Sequence, residues 1–167
     1  AVNPFGADHM SSDHDPNYTP TTDAETLAKV SELGLISPVD KRDLSAEKVR
    51  WGLLTEYVYS ALDCLGTCQF VWRTSLYELM LIGQRRLNMM RAFNVREGFR
   101  AKDDVLPDKM FIPLKGGATD GVSVSKQEFE AAKRQYYAMA GWDEEGIPTE
   151  GTLAKLGLEW VNEIIKS

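Results

Sequence analysis

Apolar residues recur at intervals of three and four over most of this chain, which is the spacing of helices. The first predicted helix runs from about Asp23 to Leu33. Asp23 is its N-cap, Leu27, Val30 and Leu33 are its apolar stripe, and Gly34 is its stop. A turn follows at Ser37-Pro38. The second helix, about Ser45 to Leu62, carries two apolar rows: Val49, Leu53, Tyr57 and Ala61, then Leu54, Val58 and Leu62. So wide a stripe predicts deep burial. A third helix starts near Ser75, which forms a capping box with Glu78, and fades near Asn94. Leu76, Leu79, Met80, Leu87 and Met90 are its apolar positions. Gly83 within it costs about 1 kcal/mol relative to alanine, and so predicts close backbone packing.

The pattern fails over residues 95–124, which hold Gly98, Pro107, Pro113, Gly116, Gly117 and Gly121. About thirty residues without periodicity exceed an ordinary connection. They predict an extended arm lying over the helices, because Phe99, Val105, Leu106, Met110, Phe111, Ile112 and Leu114 call for burial. A fourth helix, about Ser125 to Ala140, opens with the capping pair Ser125 and Glu128 and stops at Gly141. Phe129, Ala132, Tyr136 and Met139 form its apolar face. After a turn over Gly141–Pro148, Thr149 caps a short helix that Gly157 ends, and Glu159–Ile164 adds a turn or two. Residues 1–22 are rich in Asn, Pro, Gly, Asp, His, Ser and Thr and read as loop. The expected class is all-α: one multihelical domain over 1–167 with a long irregular arm, about 95–124, and at most one marginal β-pair in that arm.

Composition narrows the function classes. Lys+Arg 19 against Asp+Glu 25 gives a net charge of −6, so no nucleic-acid surface is expected. The apolar runs are too short for a membrane span. Two cysteines in 167 residues do not make a disulfide scaffold, which favours a reducing, cytoplasmic setting. The chain opens at Ala1 without a methionine, so removal of its true start is expected.

Both cysteines lie in Asp63-Cys64-Leu65-Gly66-Thr67-Cys68-Gln69-Phe70, where the second helix runs out. A carboxylate, a glycine and two thiols this close suit a place that holds a cofactor. Two thiols cannot complete a four-cysteine site, so the remainder would lie elsewhere. Cys68 at a loop near a helix start has the setting of a low-pKa thiolate and soft-metal ligand; the plainer reading is a small buried hydrophobe. Asp63 at a helix C-terminus opposes the helix dipole. Either it accepts hydrogen bonds from a ligand or from Arg73, or it caps the next turn. Asp8-His9 and Asp13-His14-Asp15 place both histidines in one acidic loop. Their spacing matches no standard metal motif, and a single histidine facing a neighbouring active site is the better reading. Trp51, Tyr57, Tyr59, Trp72, Tyr77, Tyr136 and Tyr137 read mostly as core. Arg85, Arg86 and Arg91 read as a solvated helix face.

Several segments in order resemble the tungsten-containing aldehyde:ferredoxin oxidoreductase family in its C-terminal helical region. They are Asp63–Phe70, Asn94-Val95-Arg96-Glu97-Gly98-Phe99, Asp103-Asp104-Val105-Leu106-Pro107, Tyr136–Trp142, Asp143–Thr149 and Leu156-Gly157-Leu158. The opening Asn3-Pro4-Phe5-Gly6-Ala7-Asp8-His9 is similar to a family segment near the active site. The resemblance implies a parent enzyme with an N-terminal β-rich domain and two helical domains. Between them lie a tungsten atom, or molybdenum, held by two pterins, and a neighbouring 4Fe-4S cluster. Such an enzyme oxidises a small aldehyde to a carboxylate and passes electrons to ferredoxin. The motif Asp-x-x-Gly-x-Cys implies Cys68 as the fourth cluster ligand and Cys64 as a non-ligand. It implies Asp63, with backbone groups of Thr67 and Cys68, as pterin contacts, and it puts His9 near the metal as the catalytic candidate. The sequence departs from the family at Thr67, usually Leu, and at Ala140, commonly Arg; neither change removes a ligand.

The expected role is therefore the C-terminal domain of such an oxidoreductase, inactive and cofactor-free by itself. Its partners would be the N-terminal and middle domains, ferredoxin and an aldehyde, with no nucleic acid and no membrane. The rival is a stand-alone helical interaction module that has lost the cofactor. A third reading is a small thiol-redox protein using Cys64 and Cys68.

Overall fold

Two long helices carry the architecture, and each forms where the apolar rows are longest. A computed structural model describes residues 3, 4, 6, 22, 24–35, 39, 40, 42–65 and 76–166. Among these the helices are α1 (Ala24–Ser31), α2 (Ala46–Leu65), α3 (Leu76–Arg96), α4 (Lys126–Ala140), α5 (Glu150–Lys155) and α6 (Val161–Lys166). The all-α expectation holds, and no helix among the described residues is long and apolar enough to cross a membrane.

α2 packs on α3 and α4, and α6 packs on α3 and α5. The predicted row of α2 supplies Leu53 and Tyr57 to the main core. They meet Leu87 of α3, Tyr136, Tyr137 and Ala140 of α4, and Trp142 beyond it. A second core joins Ala92 of α3 to Leu153, Leu156, Leu158 and Val161. α1 closes a third, smaller one, with Leu27, Val30 and Leu33 packed on Leu35 and Trp51. At Gly83 the backbone of α3 lies tight against that of α2. A Cβ there would lie 1.8 Å from the Tyr57 carbonyl oxygen, so no other residue fits.

Local signals place the C-terminal elements. The Glu128 amide donates to Ser125 Oγ at 3.3 Å, capping α4 as predicted. Gly141, at φ 75°, ends that helix in the left-handed conformation. Thr149 caps α5 by accepting from the Thr152 amide.

Five expectations need correction. α2 continues to Leu65, three residues past Leu62, so Asp63 and Cys64 are helical. The arm leaves most of its apolar side chains uncovered: Phe99, Val105, Met110, Ile112 and Leu114 are 43–61% exposed, whereas Leu106 and Phe111 are half-buried. Its backbone folds on itself instead, through Leu114 N–H to Val122 O at 2.9 Å and Val124 N–H to Met110 O at 2.9 Å. Among the described residues, the isolated β-bridge joins Trp142 to Pro148, outside the arm. Trp51, Tyr57, Tyr136 and Tyr137 are core as expected, whereas Tyr77 is 71% exposed.

The largest correction concerns Arg91, which is buried rather than solvated. Its Nη1 and Nη2 donate to the two Asp104 carboxylate oxygens at 3.0 and 2.7 Å, and its Nε donates to Gly146 O at 2.7 Å. The guanidinium lies 4.9 Å from the Trp142 ring centroid. Tyr137 Oη donates to the same carboxylate. Lys133 Nζ donates to the carbonyls of Ala101 and Asp104 at 3.1 and 3.3 Å. This cluster clamps the base of the arm to α3 and α4.

Candidate functional site

The last turn of α2 brings the cofactor-motif candidates to the surface. Asp63, Cys64 and Leu65 are all exposed there. Successive helix residues point about 100° apart, so Asp63 and Cys64 cannot face one ligand squarely together. Cys64 is a free, exposed thiol.

Asp63 sits where the unsatisfied carbonyls of a helix end concentrate negative charge. Arg86 of α3 offsets it: Nη1 lies 3.3 Å from Asp63 Oδ2 and also donates to Ser60 O at 3.3 Å and Ser60 Oγ at 3.2 Å. The arginine is anchored by Ser60, while the Asp63 side chain stays 55% exposed. An exposed carboxylate held by one cation can still accept further hydrogen bonds from outside. Thus the arginine that steadies Asp63 among the described residues is Arg86, and the turn that Asp63 could cap lies outside them. Arg73, the partner expected from sequence, lies outside the described residues, as do Thr67, Cys68, His9 and His14. Among the described residues, no group of three or more His, Cys, Asp or Glu side chains could hold a metal ion.

α3 ties this end to the start of the chain. Asn94 Nδ2 donates to Pro4 O at 3.1 Å. Asn94 lies eight residues beyond Arg86, about 12 Å along the helix. The Asn3–Gly6 turn is closed by Gly6 N–H to Asn3 O at 2.9 Å.

Sequence reasoning missed the buried polar groups. Arg91 lies four residues from Leu87 and four from Val95, both buried, and that register was the available signal. Glu56 shares the buried face of α2 with Leu53, Tyr57 and Ser60. Tyr136 Oη donates to its carboxylate. Burial pushes the Glu56 carboxyl up from 4.5 to about 7, against the lowering effect of that hydrogen bond. Burial and the adjacent Glu56 charge push the Tyr136 phenol well above its ordinary value. Trp142 Nε1 donates to Asn88 Oδ1 at 2.9 Å, completing a polar seam through the main core.

The family model for aldehyde ferredoxin oxidoreductase, domains 2 and 3, matches residues 1–158. The tungsten-containing aldehyde ferredoxin oxidoreductase of Pyrococcus abyssi is 30% identical over 147 residues, covering 76% of this chain and 24% of that protein. The corresponding Pyrococcus horikoshii protein is 31% identical over 148 residues, with the same two coverages, 76% and 24%. Among solved structures, the active site complex BamBC of benzoyl coenzyme A reductase with 1,5-dienoyl-CoA superposes with a TM-score of 0.59. The identity there is 20%, over 89% of this chain and 28% of the other, and it shows a shared fold. The chain thus spans about a quarter of the length of the curated relatives it matches.

Proposed function

The chain belongs to the aldehyde ferredoxin oxidoreductase family, and from that premise we propose that it is the C-terminal helical part of a tungstopterin oxidoreductase. In this reading residues 1–167 are one helical domain, with 1–22 as its loop segment, and the active site is completed by the N-terminal and middle domains. The observation that carries the reading is the end of α2. It presents an exposed carboxylate, Asp63, steadied by Arg86, immediately before the segment that contains Thr67 and Cys68.

The donor chemistry suits the cofactor. A pterin edge offers amino and ring N–H groups, which need an acceptor, and Asp63 is an acceptor with an open side. Asp63 would bind that edge, and Arg86 would hold the carboxylate in place. Backbone groups of Thr67 and Cys68 would complete the contact. The Cys68 thiolate would ligate one iron of a 4Fe-4S cluster, with the other ligands coming from outside this chain. Cys64 would not ligate, as the resemblance of the Asp-x-x-Gly-x-Cys motif implies. When bound, the bis-pterin tungsten or molybdenum centre and its cluster supply the two-electron oxidation of an aldehyde to a carboxylate and the electron path to ferredoxin. The His9 imidazole would accept the proton released in that oxidation, since histidine is the side chain suited to proton transfer near neutral pH.

Full-length enzyme and isolated chain test the reading together. The full-length protein should reduce ferredoxin with an aldehyde, while the isolated chain should do neither and should purify without stoichiometric iron. His9→Ala in the full-length enzyme should keep metal and cluster yet lose about 10²-fold or more in turnover. Stoichiometric iron retained by the isolated chain through chelation would contradict the shared-site reading. Near-normal turnover of His9→Ala with cofactors intact would remove His9 from it.

A further inference from the structure

We propose that the apolar groove between the loop before α2, the arm and the first turn of α4 is the seat of another domain of the same enzyme. This deepens the reading above and rests on it, because it takes the occupant from the three quarters of the relatives' length that this chain does not span. The groove encloses about 390 Å³ and is lined by Leu44, Met110, Ile112, Leu114, Val122 and Phe129. Four of these, Leu44, Met110, Ile112 and Leu114, are 37–61% exposed. Phe99 and Val105, earlier in the same arm, are more than half exposed as well. Large apolar side chains gathered on one surface mark a contact face rather than a solvent face.

The groove is also held in shape. Val124 N–H bonds Met110 O, and Leu114 both donates to Val122 O and accepts from Gly121 N–H at 2.8 Å. Phe111 meets Phe129 edge-on at 6.0 Å, which fastens the arm to α4. Upstream, the buried Asp104 carboxylate pins the arm to Arg91. A surface so fixed loses little freedom when it is covered.

Charge selects the occupant. Arg42 and Lys109 stand at the groove with Glu128, so two cations face one carboxylate there. The fitting occupant is an apolar segment of another domain, flanked by an acidic side chain that meets Arg42 or Lys109.

Hydroxyl-radical footprinting read by mass spectrometry tests this on the full-length enzyme and on this chain alone. Met110, Ile112 and Leu114 should label readily in the chain alone. In the full-length enzyme their labelling should fall to the level of the core residues Leu87 and Leu153. Ile112→Asp in the full-length enzyme should restore labelling at Met110 and Leu114. Equal labelling in both proteins would overturn the proposal. So would protection in the chain alone that tracks with dimer formation in sedimentation equilibrium, which would make a second copy the occupant. Iron analysis of the same full-length sample separates the two readings. A protected groove without iron sinks the cofactor reading and upholds the docking face. An iron-loaded enzyme with a labelled groove does the reverse.

Discussion

Two aspartates are paired with two arginines of α3, and the pairs behave differently. Asp104 meets Arg91 through two parallel bonds of 2.7 and 3.0 Å, and both side chains are at least 93% buried. Asp63 meets Arg86 through one bond of 3.3 Å, and more than half of its side chain faces water. The arginines are five residues apart on one helix. Around Asp104 the chain supplies every partner: Arg91, the Tyr137 hydroxyl, and Lys133 on the backbone carbonyl. Around Asp63 the described residues supply a single cation and leave the side chain 55% exposed. The first arrangement fixes a fold; the second is suited to receive something from outside. The arm divides in the same way, with a clamped base at Asp104 and exposed apolar side chains beyond it.

The largest effect should come from breaking the closed pair. Arg91→Met leaves Asp104 buried without its cation, which costs roughly 3–5 kcal/mol. Chemical denaturation of the chain should show it as a lower midpoint with a similar slope. A loss under about 1 kcal/mol, the scale of an exposed pair, would erase the contrast with Asp63.

Glu56 gives the same closed region a pH dependence. Its pKa rises on folding from 4.5 to about 7 because the carboxyl is buried. Between those values the folded state retains a proton that the unfolded chain has released. The contribution is therefore complete below about pH 4.5 and is lost as pH rises through 7, by up to about 3 kcal/mol. Glu56→Gln should flatten this slope in melts run across that window. An unchanged slope would assign the dependence to other groups.

Gly83 links the two regions, since it sets how α2, and with it Asp63, lies on α3. Gly83→Ala forces the backbones apart and should cost roughly 1–3 kcal/mol despite alanine's better helix propensity. A stabilised variant would contradict the close approach at Tyr57. The smallest effect belongs to the open side. Ile112→Ser should change the stability of this chain by less than about 0.5 kcal/mol, because the residue is 61% exposed. A larger loss would mean that the arm is held by its apolar side chains after all.

What was legible in the sequence was local. The capping pair Ser125 and Glu128, the stop at Gly141 and the cap at Thr149 each act within a few residues, so their chemistry reads directly from spacing. Gly83 was legible because a glycine inside a helix asks for a reason. The buried charges were not. Arg91 depends on Asp104 and Gly146, and Glu56 depends on Tyr136, eighty residues away. A charged residue among apolar ones reads as a solvated face unless its register with Leu87 and Val95 is weighed. The arm misled in the opposite sense. Its apolar content does call for burial, but the burying surface is not supplied by the described residues. Asp63 was readable as a candidate from its motif, whereas the identity of its arginine was set by how α2 lies on α3.

The central claim is that this chain donates one thiolate to a metal centre that it shares with other domains. Electron paramagnetic resonance of the reduced full-length enzyme, comparing Cys68→Ser with Cys64→Ser, tests it most directly. The account predicts that the first variant loses or converts the cluster signal, because a hydroxyl is a poor substitute for a thiolate on iron, and that the second retains it. An unchanged signal in Cys68→Ser, or a lost one in Cys64→Ser, would contradict it.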